Sequence, residues 1–271
     1  MSGAVEDLRF SIYRDLHHEQ LASQVERNES SARLILALLF ERFRPGSVLD
    51  VGCGIGSWLA VARELGIGEI QGVDGDWLDE KLSRVEPARI RKVDLEKGFD
   101  LGRRFDLAIS LEVAEHLSAD AADSFVGCLA RHADVILFSA AIPFQGGHHH
   151  VNEQFPEYWE QLFEARGYVP VDFLRPLIWN FSDVLPWLKQ NILIYARESL
   201  TQGKAPFAGL AAVGPLALVH PELYVERMSQ ALAVRDELNR LIELIASGKT
   251  FSGIRNEDGS VSIRVADAEQ G

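Results

Sequence analysis

One stretch decides the fold of this chain: Asp50-Val51-Gly52-Cys53-Gly54-Ile55-Gly56. It continues a short apolar run, Val48–Val51, which predicts a buried strand, and it precedes residues 57–65, which predict a helix. Glycines between a strand and a helix let the backbone approach a ligand where a Cβ would collide. They also direct the N-terminus of the helix at that ligand. The stretch therefore predicts a ligand-binding loop at the start of an α/β domain.

A dinucleotide-binding loop is the first alternative for this stretch. The dinucleotide fingerprint G-x-G-x-x-G requires glycine or alanine at position 57, where this chain has Ser57. Here an acid, Asp50, stands two residues before the first glycine of the series Gly52, Gly54 and Gly56. An acid beside the loop can help to hold an ammonium group, directly or through water. The pattern therefore argues against a nicotinamide cofactor.

Strand and helix patterns alternate along the chain after this loop. Further strands are predicted at 70–73, 90–93, 105–110, 135–138, 169–173 and 192–195. The alternation predicts an α/β fold: a seven-stranded, mostly parallel sheet with helices on both faces. The last two strands lack a full crossover connection and predict a hairpin edge, with residues 175–189 as an insertion between them.

The chain is predicted to have three regions. Residues 1–45 form an N-terminal helical lid, and residues 46–200 form the ligand-binding domain. Residues 201–271 form a C-terminal extension, which starts with a linker or surface loop rich in Gly, Ala and Pro. It continues with a long helix over 221–247 and a hairpin over 251–265. The apolar side of the long helix indicates a packing or dimerisation element, so a homodimer through this helix is one expectation.

The composition indicates which partners the protein is expected to have and in which compartment it is expected to occur. Its formal net charge of −13 disfavours a nucleic-acid partner, because phosphate contacts are made by clustered Lys and Arg. No run of about 18 apolar residues exists, so no membrane span is predicted. The two cysteines, Cys53 and Cys128, are expected to be free thiols, since a disulfide at Cys53 would obstruct the glycine loop. These features, without a signal-peptide pattern, predict a cytoplasmic protein.

The glycine loop and several later positions resemble the class I S-adenosylmethionine-dependent methyltransferases over about residues 46–197. The resemblance implies S-adenosyl-L-methionine as the cofactor and residues 46–200 as the domain that binds it. It places Asp74 at the ribose hydroxyls, Asp94-Leu95 at the adenine and Glu112 near the methionine portion. The cofactor-binding residues that it implies are Asp50, Gly52, Cys53, Gly54, Gly56, Asp74, Asp94, Leu95 and Glu112.

A second cluster, Glu112-Val113-Ala114-Glu115-His116, follows the fourth predicted strand. On a helix, residues three and four apart share a face, so Glu112, Glu115 and His116 are expected to converge. Ligands bind at the carboxyl ends of the strands in α/β sheets, which places this cluster in a site. Two carboxylates and an imidazole can hold Mg²⁺ or Mn²⁺, with a histidine of the run 148–150 as a fourth ligand. The predicted metal ligands are Glu112, Glu115, His116 and His150, and a structural or general-base role without a metal is the alternative.

The same cluster bears on the reaction. A hydroxyl is a poor nucleophile that needs a general base or a metal ion, so the cluster favours methyl transfer to oxygen. The candidate catalytic residues are His150, His149, Glu115 and His116, with His150 preferred. The run Glu-x-x-Glu-His with a later histidine resembles small-RNA 2′-O-methyltransferases, and Glu-Val-x-Glu-His resembles ubiquinone-biosynthesis O-methyltransferases. The block 150–156 resembles methyltransferases of bacterial glycan and sugar-pathway clusters.

We therefore predict an S-adenosylmethionine-dependent methyltransferase that acts on a hydroxyl of a sugar or glycan, with or without a divalent metal ion. The alternatives are an O-methyltransferase of another small diol, an RNA ribose methyltransferase, and a non-catalytic S-adenosylmethionine-binding partner protein. Two groups of residues are weaker candidates for acceptor contacts. Tyr13, His17 and His18 lie on the predicted lid helix, and Trp159, Trp179, Asn180 and Trp187 are candidates for an aromatic wall against a sugar ring.

Overall fold

The computed structural model describes residues 21–76, 80–247, 249–255 and 261–267. Two compact units make up the chain, Met1–His220 and Pro221–Gly271. The predicted lid residues Tyr13, His17 and His18 lie outside the described residues, and so does the predicted hairpin turn at 256–259.

A seven-stranded sheet forms the centre of the first unit. Its strands are β1 (Ser47–Val51), β2 (Glu69–Asp74), β3 (Ile90–Lys92), β4 (Leu107–Leu111), β5 (Val135–Ser139), β6 (Tyr168–Val171) and β7 (Leu193–Arg197). They lie in the order β3-β2-β1-β4-β5-β7-β6. All neighbours are parallel except β7, which is antiparallel to both β5 and β6. The predicted mostly parallel sheet and its hairpin edge are confirmed.

Helices cover both faces of this sheet. They are α1 (Leu21–Arg42), α2 (Ser57–Glu64), α3 (Ala122–His132), α4 (Pro156–Glu164), α5 (Leu174–Ile178) and α6 (Pro186–Asn191). Neighbouring residues of β1 point to opposite faces, so Val48 packs in one hydrophobic core and Leu49 packs in another. The core that holds Val48 is shared with α1, α2, α5 and α6, whereas the core that holds Leu49 is shared with α3 and α4. A sheet buried on both faces explains why its strands are almost continuously apolar in sequence.

Helix α1 is the described part of the predicted lid, and it packs into the core. Ile35, Leu36 and Leu39 are completely buried there. Glu29 is also buried on this helix, where it forms ion pairs with Arg33 at 3.2 Å and Arg84 at 2.7 Å. Because its apolar face is part of the core that holds Val48, α1 packs directly on the sheet.

Residues 201–215, predicted as a linker or surface loop, pack against the main unit. Phe207 is completely buried, with its ring 5.8 Å from that of Phe43. The Ala212 N–H donates to the Pro170 carbonyl at 2.8 Å, next to a bridge between Val171 and Ala211. The division between the two compact units therefore falls after His220 and not after residue 200. The domain limits 46–200 and 201–271 stay predictions.

The second unit contains the predicted long helix and hairpin. Helix α7 is Pro221–Ala246, and strands β8 (Lys249–Arg255) and β9 (Val261–Asp267) pair in antiparallel fashion. Large apolar side chains of α7 are exposed, namely Tyr224, Val225, Met228, Leu232, Val234, Leu238, Ile242 and Ile245. A homodimer through this helix stays a prediction. Among the described helices, none combines the length and apolar character that a membrane span requires.

Candidate functional site

The glycine loop joins β1 to α2, and its glycines have backbone angles that other residues rarely adopt. The φ angles of Gly52, Gly54 and Gly56 are +78°, +51° and +83°. A Cβ on Gly52 would lie 2.3 Å from the Val113 side chain, so only glycine fits there. A Cβ position on Gly54 has no atom within 4 Å, which places this backbone beside open space. The loop therefore has the close backbone approach and the space that a ligand needs.

Cys53 stands inside this loop, but its thiol faces the protein. The residue is 8% exposed, and a Cβ on Gly72 would lie 2.7 Å from the Cys53 sulfur. Burial raises the pKa of Cys53, and the charges of Asp50 and Asp74 add to this effect. A thiol that stays protonated is a poor nucleophile, so Cys53 acts in the loop through its backbone and its packing. Cys53 and Cys128 are both buried free thiols, as predicted.

Two acids lie at the carboxyl ends of neighbouring strands, beside the glycine loop. Asp50 on β1 is 3% exposed, and one of its carboxylate oxygens accepts no hydrogen bond of ordinary geometry. Burial, with the nearby charge of Asp74, raises the pKa of Asp50 to about 8. Asp74 ends β2, and its oxygens accept the N–H groups of Gly54 at 2.6 Å and Gly75 at 2.7 Å. Asp74 thus holds the loop open, whereas Asp50 has an oxygen available to a cationic group.

Asp94 and Leu95 follow β3, as the sequence predicts. Asp94 is exposed and pairs with Lys97 at 2.9 Å. The hydrogen bond from Lys97 is the main reason that the pKa of Asp94 lies below its ordinary value. Leu95 is partly buried against the core that α3 and α4 share. In the sheet, β3 lies next to β2, and β2 lies next to β1, from which the glycine loop continues. Asp94 and Leu95 therefore follow a strand two places away from β1.

The helical conformation that was expected to bring Glu112, Glu115 and His116 to one face does not form, so that prediction is wrong. Glu112 directly follows β4 with a φ of +54°, and only Ala114–His116 form a turn, which is of the 3₁₀ type. The Glu112 N–H donates to the carbonyl and to the hydroxyl of Ser139 at 3.0 and 3.1 Å. Because a left-handed residue starts this segment, the helical spacing that was expected to bring Glu112 to Glu115 and His116 does not apply.

Glu112 instead belongs to a buried amide network. Its carboxylate accepts hydrogen bonds from Gln145 at 2.9 Å and from Asn191 at 3.1 Å. The Gln145 carbonyl in turn accepts from Asn191 at 2.8 Å and from Gln190 at 3.0 Å. Burial raises the pKa of Glu112, and these hydrogen bonds act in the opposite direction. Sequence reasoning missed Gln145, Gln190 and Asn191, which come from a loop and a short helix far along the chain.

Glu115, His116 and His150 converge, which confirms three members of the predicted cluster as neighbours. One potential ligand atom from each lies within 4.8 Å of the others. Glu115 is completely buried, and neither of its carboxylate oxygens accepts a hydrogen bond of ordinary geometry. Burial and the charge of Glu112 raise the pKa of Glu115 well above its ordinary value, and burial lowers the pKa of His116 to about 4. An imidazole that resists protonation is available as a metal ligand.

His150 reaches this cluster from the loop that follows β5. Its ring stands edge-on to that of His116, with the centroids 4.9 Å apart. The N–H groups of Val151 and Asn152 donate to the Glu115 carbonyl at 2.9 and 3.0 Å, which ties the loop to the turn after β4. His149 is exposed, has a φ of +59°, and is not among the three converging residues. A catalytic role for His149 therefore stays a prediction without support from this geometry.

Glu153 is a further residue of the site that sequence reasoning missed. One of its oxygens lies 2.9 Å from His150 Nδ1 and accepts the Gly146 N–H at 2.9 Å. Its other oxygen accepts the Phe144 N–H at 2.8 Å. The spacing His150-x-x-Glu153 was the available signal, since a carboxylate three residues after a histidine can bond its ring. Glu153 therefore orients His150 and closes the loop at the same time.

The predicted aromatic wall is not formed as a unit. Trp159 is 2% exposed and packs against Phe138, with the ring centroids 5.4 Å apart, so it is a core residue. Trp187 is partly buried against the other core. Trp179 packs against His220, with the centroids 4.6 Å apart. These tryptophans pack against other side chains and do not form one ligand surface.

Comparison with known proteins places this site in context. A family model described as a methyltransferase domain matches residues 21–139. Magnesium protoporphyrin IX methyltransferase from Synechocystis PCC 6803 has a similar structure, with a TM-score of 0.50, 18% identity and coverage of 70% of this chain and 91% of that chain. For the sugar N-methyltransferase KedS8 from Streptoalloteichus sp ATCC 53650, the TM-score is 0.49 at 17% identity, covering 62% of this chain and 87% of that chain. No curated protein sequence matches the chain significantly.

The strand order and the glycine loop after β1 are those of the class I methyltransferase fold, and residues 21–139 match a methyltransferase domain. The matched residues 21–139 include the glycine loop and Glu115. The identification made from the glycine loop, a class I S-adenosylmethionine-dependent methyltransferase, is confirmed. His150 and the strands β6 and β7 lie beyond the matched residues and complete the site and the sheet.

Proposed function

We propose that this methyltransferase transfers the methyl group of S-adenosylmethionine to a hydroxyl of a sugar or glycan. The observation that carries the proposal is the convergence of Glu115, His116 and His150. Glu115 and His116 follow β4 at its carboxyl end, and His150 comes from the loop after β5. Val113, which precedes the turn of Glu115 and His116, lies against Gly52 of the glycine loop. An acid–histidine cluster beside a methyl-donor site is suited to an acceptor that must lose a proton.

The residues around the glycine loop fit the cofactor. The unpartnered oxygen of buried Asp50 suits the ammonium of the methionine portion, and the open backbone at Gly54 leaves room for the ligand. The oxygens of Asp74 accept the N–H groups of Gly54 and Gly75, and a carboxylate oxygen can accept more than one hydrogen bond, as from a ribose hydroxyl. Leu95 and Asp94 would contact the adenine. When bound, the cofactor supplies an electrophilic methyl group on a sulfonium.

The chemistry of a hydroxyl acceptor explains the acid–histidine cluster. A hydroxyl has a high pKa, so it reacts only when a base removes its proton or a metal ion lowers that pKa. His116 resists protonation and is therefore available as a metal ligand, whereas His150, oriented by Glu153, can accept a proton or bind a metal ion. An amine acceptor would need little more than alignment and the loss of a proton. The cluster therefore favours oxygen as the methylated atom.

A divalent ion at this cluster would be held by Glu115, His116 and His150. Neither carboxylate oxygen of Glu115 accepts a hydrogen bond of ordinary geometry, and a bound cation would compensate the buried charge. Two imidazoles and one carboxylate suit Mn²⁺ better than Mg²⁺, which prefers oxygen ligands. Glu112 is engaged by Gln145 and Asn191, so we do not include it in the proposed metal set. Three protein ligands leave coordination positions for acceptor oxygens.

An acceptor panel tests the proposed function. The full chain is incubated with labelled S-adenosylmethionine and with nucleotide sugars, simple glycosides, catechol-type diols and short RNAs, each with and without a chelator. We expect methyl transfer to sugar hydroxyls, lost after chelation and restored by Mn²⁺. Transfer to RNA or to catechols alone would replace the sugar proposal with that acceptor. Cofactor binding without transfer to any acceptor would favour the non-catalytic partner protein.

Glu153→Gln is expected to weaken the metal site without unfolding the loop. Glutamine keeps an oxygen that can accept the N–H groups of Phe144 or Gly146, but it is a weaker partner for His150. Loss of such an orienting carboxylate typically lowers metal affinity roughly 10- to 100-fold. Calorimetric titration with Mn²⁺ measures the change, and the control is Glu198→Gln, an exposed acid after β7. An unchanged Mn²⁺ affinity in Glu153→Gln would exclude the orienting role.

A further inference from the structure

The loop that carries His150 is closed on itself. Glu153 accepts the N–H groups of Phe144 and Gly146, and the Gln154 N–H donates to the Ala141 carbonyl at 3.2 Å. The loop therefore leaves β5 and returns beside its own start, with Glu153 as the clamp. A clamped loop of this kind holds its outward side chains in defined positions.

Phe144 is the side chain that this clamp presents to solvent. It is 90% exposed, and its φ is +69°, a backbone conformation that is costly for a residue with a bulky side chain. Val151 and Phe155, on the returning part of the loop, are exposed by 66% and 48%. An exposed aromatic ring on a strained but clamped backbone needs a reason beyond packing, because neither burial nor local preference favours it.

The same clamp links Phe144 to the acid–histidine cluster. One oxygen of Glu153 holds the backbone of Phe144, while the other contacts the His150 ring. Val151, the residue after His150, donates its N–H to the Glu115 carbonyl at 2.9 Å. Phe144 is therefore fixed relative to His150 and Glu115 by a short series of hydrogen bonds. A molecule bound against Phe144 would lie at a defined position relative to those two residues.

We propose that Phe144 is an acceptor-binding residue, a platform on which the apolar C–H face of the acceptor's sugar ring packs. This inference rests on the proposed function and names the part of the acceptor that is recognised. Aromatic rings bury large apolar area at low conformational cost, and a pyranose ring offers one apolar face beside its hydroxyls. The hydroxyl to be methylated would point from that ring towards His150 and Glu115.

Charge disfavours the other common partner of an exposed aromatic ring, a nucleic-acid base. Base stacking in single-stranded RNA is accompanied by Lys and Arg along the phosphates. Between positions 141 and 155 the chain has no Lys or Arg, and its formal net charge is −13. The platform therefore suits a ligand without a phosphate chain. Short RNA that inhibits methylation of the glycoside by the parent, and not by Phe144→Ala, would identify a base-stacking platform instead.

Steady-state kinetics of the full chain test the platform, with the best glycoside of the acceptor panel as the probe. We expect Phe144→Ala to raise the KM for the glycoside about tenfold, with kcat within about twofold of the parent. Phe144→Trp keeps an aromatic face and is expected to retain a KM within about threefold of the parent. The affinity for S-adenosylmethionine, measured by calorimetry, should stay unchanged in both variants, which shows that the fold is intact. Val213→Ala, which removes a fully exposed valine after β7, is the matched control.

A KM that stays within about twofold of the parent in Phe144→Ala would overturn the platform while leaving the proposed function in place. If no glycoside is methylated, the proposed function fails, and binding is then measured by saturation-transfer NMR with methyl glycosides. Saturation of the ring C–H protons that disappears in Phe144→Ala would support the platform on its own. Absence of any saturation in the parent protein would overturn the platform as well.

Discussion

Glu115→Gln is expected to lower methyl transfer roughly 100-fold or more, while the affinity for S-adenosylmethionine stays within about threefold of the parent. The same variant is expected to be more stable than the parent when metal is absent. Glu115 is completely buried, and its carboxylate oxygens accept no hydrogen bonds of ordinary geometry, so the parent carries an uncompensated acid. Replacing that acid by a neutral amide should raise the free energy of unfolding by about 1–3 kcal/mol.

Thermal unfolding with and without Mn²⁺ measures both effects. The parent should be stabilised by added Mn²⁺, because an ion that binds only the folded state shifts the unfolding equilibrium. Glu115→Gln should start from a higher Tm and respond little to Mn²⁺. Glu29→Gln is the matched control, since Glu29 is an equally buried acid whose charge is paired with Arg33 and Arg84. Glu29→Gln should lower Tm and keep the Mn²⁺ response. If Glu115→Gln kept the Mn²⁺ response and Glu29→Gln lost it, the result would contradict the metal site.

Asp50→Asn is expected to stabilise the cofactor-free protein at neutral and alkaline pH and to weaken cofactor binding roughly tenfold or more. In the folded protein, burial raises the pKa of Asp50 from the ordinary 3.8 to about 8. A carboxyl group with a raised pKa stabilises the fold only at low pH. Its contribution is complete below pH 4 and is lost as pH rises through the window from about 4 to about 8. Asparagine does not titrate, so this loss is absent in the variant.

Urea unfolding of the two proteins between pH 4 and pH 8 measures this prediction. The difference in unfolding free energy should grow in favour of Asp50→Asn by up to about 1.4 kcal/mol per pH unit. Asp106→Asn is the control for cofactor affinity, because Asp106 is an exposed acid that caps the start of β1 through Gly46 and Ser47. Parallel pH profiles for the parent and Asp50→Asn would show that Asp50 is ionised in the folded state and would remove the physical basis of this prediction.

The fold was predictable because its signals are local. Glycines at 52, 54 and 56 follow a buried strand, and apolar runs recur at the spacing of alternating strands and helices. Each strand and its following helix carry their own pattern, so the mostly parallel sheet, its hairpin edge, the long helix and the C-terminal hairpin were all predicted. The packing of residues 201–215 was not predicted, because Gly, Ala and Pro are typical of loops and the segment has few large apolar residues besides the buried Phe207.

The site was predictable only in part, because its remaining contacts are long-range. Glu115, His116 and His150 were identified from residue types that bind metals or protons. Helical spacing failed at Glu112, a left-handed residue that follows β4 and is held by Ser139. Nothing in the local pattern connects Glu112 to Asn191 across the sheet. Such amide contacts depend on how the strands are ordered, and they become visible only in three dimensions.

The most direct test of the account is to locate the transferred methyl group in the product. The full chain is supplied with S-adenosylmethionine labelled at the methyl carbon and with a glycoside that it accepts, and NMR identifies the atom that carries the label. We predict an ether methyl on a ring hydroxyl, formed by the Mn²⁺-loaded protein and not by Glu115→Gln. A label on nitrogen, carbon or sulfur, or an undiminished yield from Glu115→Gln, would contradict the account.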